Sequence, residues 1–392
     1  MMRGAADVFT PPFLSGEGKS AMTAFKAVHS VAEDWAPAAQ ACVDALAGAP
    51  DGANLGFVYA TDNLAENFSS ILAYLRQKTG IEHWVGSLGL GVCAGAEEFF
   101  DRPALAVMAA SLPDGDFCVF PTISESVEQL SPSTRAWIDG ALPLFGIVHG
   151  DPNNDKTAGL IEDLAGLASG FLVGGLTSSR TACHQAAGRI TGGGLSGVLF
   201  SPEMKVATGL SQGCAPIAGS HVISDCLDNV IIGLDGRKAF DVFKEDIGEP
   251  LSRDLNRIAG HIHAALPIEG SDTGDYLVRN LIGIDTTRGW LAIGEEIHPG
   301  ERVMFVRRDP ESTRTDLIDM LLKLKNRIGE APQGGVYFSC VARGPNMFGG
   351  EGGEMALIRD VLGAIPVVGF YANGEISNNR LYGYTGVLVL FL

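Results

Sequence analysis

A chain of 392 residues exceeds what one ordinary hydrophobic core fills, so two domains or one large layered unit is expected. With 46% hydrophobic and 19% charged residues the composition excludes a disordered chain. The 28 basic and 46 acidic residues give a net charge of -18 without any dense Lys/Arg stripe, which argues against a nucleic-acid or anionic-membrane surface. No apolar run approaches the roughly 20 residues of a membrane span. The N-terminus "MMRGAADVFTPPFLSGEG" lacks the basic start and apolar middle of a signal peptide, so a cytoplasmic protein is expected. Cys42, Cys93, Cys118, Cys183, Cys214, Cys226 and Cys340 are odd in number, widely spaced and without a C-x-x-C pair. They read as reduced thiols in a reducing compartment, not as a disulfide framework or a structural zinc site.

In chain order, residues 1–20 read as a frayed arm. "LGFVYA" then predicts a strand, "TDN" a polar loop, and Leu64, Phe68, Ile71, Leu72 and Leu75 one apolar helix face, followed by strands in "IEHWVGSLGLGVCAG" and "ALAVMAASL". The same order returns with "LFGIVHG", "DPNND", a helix through Leu160, Ile161, Leu164 and Leu167, "GFLVGGLTSS" and "LSGVLFS". It returns again with "GVYFSCV", "ARGPNMFGGEGG", a helix through Leu357, Ile358, Val361 and Leu362, "IPVVGFYANGEI" and "TGVLVLFL". Shared order at shared positions marks an internal repeat even where identity is slight.

Between the second and third copies, "GLSQGCAPIAGSHVISDCLDNVIIGLDG" reads as strands and turns, and "RKAFDVFKEDI" and "LSRDLNRIAGHIHAALPI" as helical. "YLVRNLIGID", "GWLAIGEE" and "ERVMFVRRD" predict an antiparallel meander joined by "TTRG" and "HPG". Asp309 and Pro310 supply the N-cap and first-turn proline of a helix striped by Leu317, Leu321, Leu324 and Ile328. The expected fold is α/β, with layered mixed β-sheets flanked by helices, repeated β-α-β-β units, and two connected modules at 21–235 and 236–392.

"GLSQGCAPI" at 209–217, "LVRNLIGIDTTRG" at 277–289, "SCVARGPNMFG" at 339–349, "GFYANGEI" at 369–376 and "LYGYTGVLVLF" at 381–391 together resemble the FIST family, with its N-terminal and C-terminal modules. The resemblance implies a sensory, small-ligand-binding protein of signal transduction and no enzyme, its ligand an amino acid or related metabolite. In the family such modules are often attached to kinases, cyclases or methyl-accepting domains. Here the expectation is a freestanding sensor acting through a separate kinase or cyclase. One branch of the family consists of haem proteins that sense nitric oxide, so a haem-based sensor regulating a partner histidine kinase or cyclic-nucleotide enzyme is the alternative.

Loops leaving the ends of α/β strands are where ligands usually bind. In the third copy Arg343 could grip a carboxylate through two parallel hydrogen bonds and Glu375 could accept from an ammonium group. Gly344, Gly369 and Gly374 would allow close backbone approach, and Phe348 and Phe370 would supply apolar walls. Cys340, within an apolar strand, reads first as a buried thiol and otherwise as a ligand contact or redox sensor. The competing reading pairs Arg343 with Glu375 to tie two loops together.

No catalytic residue is assigned. "GLSQG" at 209–213 satisfies G-x-S-x-G, but Cys214, Ala215, Pro216 and Gly219 follow where a nucleophile elbow needs a helix after Ser211. "GGGLSG" at 192–197 leads into a strand and so lacks the phosphate-cradling geometry. Cys93 has no assignable activating histidine. Among eight histidines none belongs to a C-x-x-C-H motif, and His261 and His263, two apart in an expected helix, would face different ways. His149, ending a strand at a loop like that of Arg343, is the candidate haem ligand.

Overall fold

The computed structural model describes residues 24–249, 251–255, 258–268 and 274–392, so the expected arm at 1–20 lies outside the described residues. The repeat seen in the sequence becomes three six-stranded sheets. In each, a first strand lies at one edge and the last strand of the unit pairs antiparallel beside it. A parallel β-α-β pair comes next. In the first unit these are Ala24–Val31, Ala104–Ser111, Leu55–Thr61 and His83–Gly89. In the second they are Phe117–Ile123, Leu195–Phe200, Phe145–Gly150 and Phe171–Leu176. In the third they are Val206–Ser211, Gly386–Phe391, Gly334–Cys340 and Val367–Ala372.

The remaining two strands of every sheet are borrowed. The hairpin Gly91–Ala94/Glu97–Phe100 of the first unit extends the third unit's sheet. The second unit's hairpin, Gln185–Ala187/Arg189–Thr191, extends the first. The third unit's hairpin, Glu375–Ser377/Arg380–Tyr382, extends the second. Three units therefore exchange hairpins in a closed cycle.

The inner faces of the sheets meet in one core, where Phe57, Ile147, Phe338, Phe370 and Phe391 are all inaccessible. The outer faces are covered by helices. Phe68–Thr79 buries Phe68, Ile71, Leu72 and Leu75 and stops at Gly80, in the left-handed region at φ 73°. Pro310–Arg327 begins where Asp309 accepts from the Glu311 and Ser312 amides, as its N-cap signature predicts, and buries Leu317, Leu321 and Leu324. Each fully buried Leu or Ile contributes ~1.5–3 kcal/mol.

A parallel pair needs close approach at one point in every unit. A Cβ on Gly86, Gly174 or Gly369 would lie 1.7, 1.8 and 1.8 Å from the carbonyl oxygens of Val58, Val148 and Tyr337. Gly369 thus has a packing reason to be glycine.

The segment 214–308 is inserted between the first strand of the third unit and the helix Pro310–Arg327. Among its described residues six strands pair in a closed circuit: Arg302–Arg308, His221–Leu227, Val230–Leu234, Trp290–Ile293, Tyr276–Asp285, Ile262–Pro267 and back to Arg302–Arg308. The helix Ala239–Ile247 packs Val242 and Phe243 into this barrel with Phe305, Leu291 and Ile223. The sequence division at residue 236 falls in a turn inside the barrel, where Asp235 and Gly236 both have positive φ. As packed bodies, the molecule divides into the three-sheet ring and the barrel.

Two local expectations are corrected. Ile262–Pro267, expected as helix, is a strand: Ile262 and Ala264 face the barrel core while Ala265 packs on the opposite side, a period of two within an apolar run. His263 is in this strand, and His261 in the turn before it. The expected meander also breaks, because Arg302–Arg308 passes Trp290–Ile293 and pairs with Ile262–Pro267, which closes the circuit.

Candidate functional site

A cleft of about 1270 Å³ opens between ring and barrel. Its ring side is made by the carboxyl ends of the third unit's parallel strands and their continuations, Cys340, Val341, Ala342, Asn373 and Gly374, with Leu381, Tyr382 and Tyr384 beyond the hairpin. Ala158, Ile161 and Glu162 of the second unit's helix close one flank. The barrel contributes Leu266, Val278, Arg279, Asn280 and Glu295 among others. Loops beyond the carboxyl ends of parallel strands are where ligands usually bind, because the sheet fixes the strand ends while the loops stay free.

Polar contacts in and beside the cleft tie barrel and ring together. Arg279, largely buried, pairs with Glu295 at 2.5 Å and reaches the Leu381 carbonyl at 3.4 Å. The Tyr384 hydroxyl donates to Asn280 Oδ1 at 2.7 Å. Arg308 donates to the Ala342 carbonyl, and Gln212 to the Tyr276 carbonyl at 3.3 Å. Asn280 lies directly opposite His263 in the barrel, so both side chains rise on the face that Tyr384 covers.

Of the residues singled out from the sequence, Cys340 and Gly374 line the cleft. Glu375 lies behind Cys340, fully buried, with Oε2 accepting from the Thr385 amide at 3.0 Å and its hydroxyl at 2.8 Å. Burial pushes its carboxyl up to about 8 against those hydrogen bonds, so it holds its proton at neutral pH. Burial likewise pushes the Cys340 thiol up, which leaves no thiolate for nucleophilic chemistry.

Arg343 turns away from the cleft. Its Nε donates to Glu354 Oε1 at 2.8 Å, its Nη groups reach Ser211, and Phe348 lies 5.2 Å beneath the guanidinium. Burial opposes its charge, but Glu354 more than compensates and holds the guanidinium above its ordinary value. Glu354 also accepts from Tyr337 at 2.7 Å and Ser339 at 2.9 Å. The partner of Arg343 is therefore Glu354 rather than Glu375. Gly344, at φ 59°, opens the short helix Pro345–Phe348. Phe348 packs beside the helix Gly353–Leu362, whereas Phe370 sits in the central core.

His149 occupies the centre of the ring. It is the fifth residue of its strand, as Tyr59 and Phe338 come fifth in theirs, and the three converge with Phe370. Ring centroids lie 5.6, 6.1 and 5.9 Å from His149 to Tyr59, Phe338 and Phe370, and Nε2 is 3.2 Å from the Tyr59 hydroxyl. Burial pushes the imidazole down to about 3, so it is neutral. A haem iron needs one ring nitrogen free with space for a macrocycle. Here aromatic side chains fill that space, and haem does not fit.

The remaining motif residues are structural. Ser211 ends a strand and accepts from Arg343, and Cys93 is buried in the hairpin that crosses to the third sheet. Arg279, Asn280 and Tyr384 were not singled out from the sequence, although the stretches "LVRN" and "LYGYTG" that hold them carried the family resemblance, and His263 was considered only beside His261 and set aside.

Residues 54–237 match the FIST N domain and residues 239–378 the FIST C domain. The chain belongs to the FIST family. FIST domains are small-ligand-binding sensory domains of signal transduction. Among relatives, the uncharacterized protein Rv0628c of Mycobacterium tuberculosis is 31% identical over 326 residues, which is 79% of this chain and 83% of that protein. The uncharacterized protein Mb0898c of Mycobacterium bovis is 29% identical over 370 residues, 89% of this chain and 92% of that protein. No helix among the described residues is long and apolar enough to cross a membrane.

Proposed function

We propose that this FIST protein binds a small zwitterionic metabolite, an amino acid or a close relative, in the cleft between ring and barrel. Arg279 takes the carboxylate and Glu295 the ammonium group, with Cys340, Asn373 and Gly374 forming the wall between them. The observation that carries this reading is the pairing of a largely buried arginine with a glutamate inside a cleft at the carboxyl ends of parallel strands. Arg343 and Glu375 belong to the layer behind the site, where they fix the strand ends.

Transmission follows from where the cleft lies. Arg279 bridges the barrel to the Leu381 carbonyl of the ring. A carboxylate that takes over the guanidinium releases that bridge and favours another barrel–ring arrangement, which a separate output protein such as a kinase or cyclase in the cytoplasm reads.

The test is a thermal-shift screen of amino acids, followed by calorimetry on Arg279→Ala and on Arg343→Ala. Saturable binding that Arg279→Ala weakens at least tenfold is the expected result. Binding unchanged in Arg279→Ala overturns the assignment. A Soret band in protein from haem-replete cells would instead favour the gas-sensing branch.

A further inference from the structure

We propose that the end of the cleft at Tyr384 is a slot for a planar aromatic ring, that Tyr384 fills it as a built-in plug, and that the ligand carries a ring with a hydrogen-bond donor that takes its place. This rests on the cleft being the ligand site and narrows the ligand class to aromatic metabolites.

The slot is defined on three sides. The Tyr384 ring lies against the His263 imidazole, centroids 4.5 Å apart at 40°. The Arg308 guanidinium carbon is 5.9 Å from the ring centre. At the far end Asn280 Oδ1 accepts from the hydroxyl at 2.7 Å. An imidazole, a guanidinium and a terminal acceptor together recognise a planar ring bearing O–H or N–H at its edge. A phenol satisfies them, and Tyr384 is the phenol present.

Two features show a plug under tension. Tyr384 has φ 64°, a left-handed conformation strained for a bulky residue, where glycine or asparagine is usual. Beneath it, His263 is 98% buried, and neither ring nitrogen makes a hydrogen bond of full geometry, although the Gly260 backbone and the Asn280 side chain lie close enough to act on the imidazole. Unpartnered buried polar atoms are rare and call for an explanation. Withdrawal of Tyr384 bares the imidazole to the cleft, so a ligand with a ring donor meets both the Asn280 side chain and the His263 ring.

Displacement also has a path into the ring. The next residue, Thr385, binds Glu375 through its amide and hydroxyl, and its carbonyl accepts from the Cys340 amide at 3.0 Å. Moving Tyr384 therefore pulls on the end of the strand Gly334–Cys340.

The experiment uses the full chain carrying Tyr384→Gly, which empties the slot and suits the left-handed backbone, titrated with 4-hydroxyphenylacetate. Expected is saturable binding at least tenfold tighter than to the unaltered protein, with a shift of the His263 ring resonance in NMR, and a tenfold loss on adding Asn280→Ala. If the glycine variant does not melt cooperatively, Tyr384→Asn empties the same slot at a residue also at ease in that conformation. A folded variant that does not bind the probe overturns the proposal, as does binding that leaves the His263 resonance unmoved. Glutamate and alanine serve as non-aromatic controls: if they bind through Arg279 and the phenol does not, the slot falls and the cleft reading stands.

Discussion

The first and third units build the same β-α-β crossover and finish it in opposite ways. After the strand Leu55–Thr61, Asp62 is clasped by Arg180, through Nε at 2.8 Å, Nη2 at 2.7 Å and the backbone amide at 2.9 Å, while Nη1 reaches Asp101. Burial would raise the Asp62 carboxyl, but Arg180 more than reverses this and holds it below the usual range. That strand end is sealed by an ion pair at its mouth. After Gly334–Cys340 the arginine of the loop points inward to Glu354 instead, and the barrel stands over the opening. An arginine at the mouth closes a strand end, whereas an arginine in the floor frees the mouth for a ligand.

If the floor arginine carries the third unit, removing it should cost far more than removing the one at the mouth of the first. Arg343→Ala leaves Glu354 buried without its counter-charge, and a loss of ~3–5 kcal/mol is expected in urea unfolding. Gly369→Ala should be as damaging, ~3 kcal/mol or more, because its Cβ meets the Tyr337 carbonyl. The equivalent Gly86→Ala tests whether the units obey one packing rule. A third unit that melts with Gly369→Ala while Gly86→Ala is tolerated would break that symmetry.

A pH titration sharpens the same contrast with an intermediate effect. Glu98, on the hairpin lent by the first unit, accepts from the Glu354 and Met355 amides at 2.9 Å each and caps the third unit's helix. Burial, then Glu354, push its carboxyl up to about 7 from 4.5. The folded state therefore holds this proton more tightly than the unfolded chain. Its stabilising effect is complete below about pH 4.5 and is lost as pH rises through 7. Glu375, pushed up to about 8, adds in the same direction. Each carboxyl should withdraw roughly 2–4 kcal/mol of stability between pH 5 and 8, and Glu98→Gln should remove the smaller share of that slope. A rise over this range would show both carboxyls to be ordinary.

The smallest effect is expected at the sealed end. Arg180 is half exposed but Asp62 beneath it is buried and keeps the residue 180 amide after truncation, so Arg180→Ala should cost ~1–2 kcal/mol, less in high salt. Denaturation at two salt concentrations checks it.

The three copies, their helices and the Asp309 cap were legible because each rests on local periodicity and capping chemistry. The hairpin exchange was not, since the register that pairs Cys93 with Gly369 joins residues with no local signature in common. The site divides the same way. Cys340 and Gly374 follow from the rule that loops beyond strand ends bind ligands. Arg343 has the chemistry of a ligand clamp, and only the position of Glu354 one helix onward decides that it is spent in the floor. Tyr384 was hidden because nothing in a tyrosine's identity announces a left-handed backbone, and His263 because an alternating strand was masked by an unbroken apolar run.

The hairpin cycle also sets a timetable for the nascent chain. The first sheet cannot be finished until residues 185–191 have been made, and the hairpin 91–100 has no strand to join until 367–372 emerges. Through most of synthesis the first unit must carry an open hairpin and the second an uncovered sheet edge, the surfaces most prone to stray pairing. The second and third sheets close together only once residues 367–391 have emerged, which ties yield in the cell to that stretch.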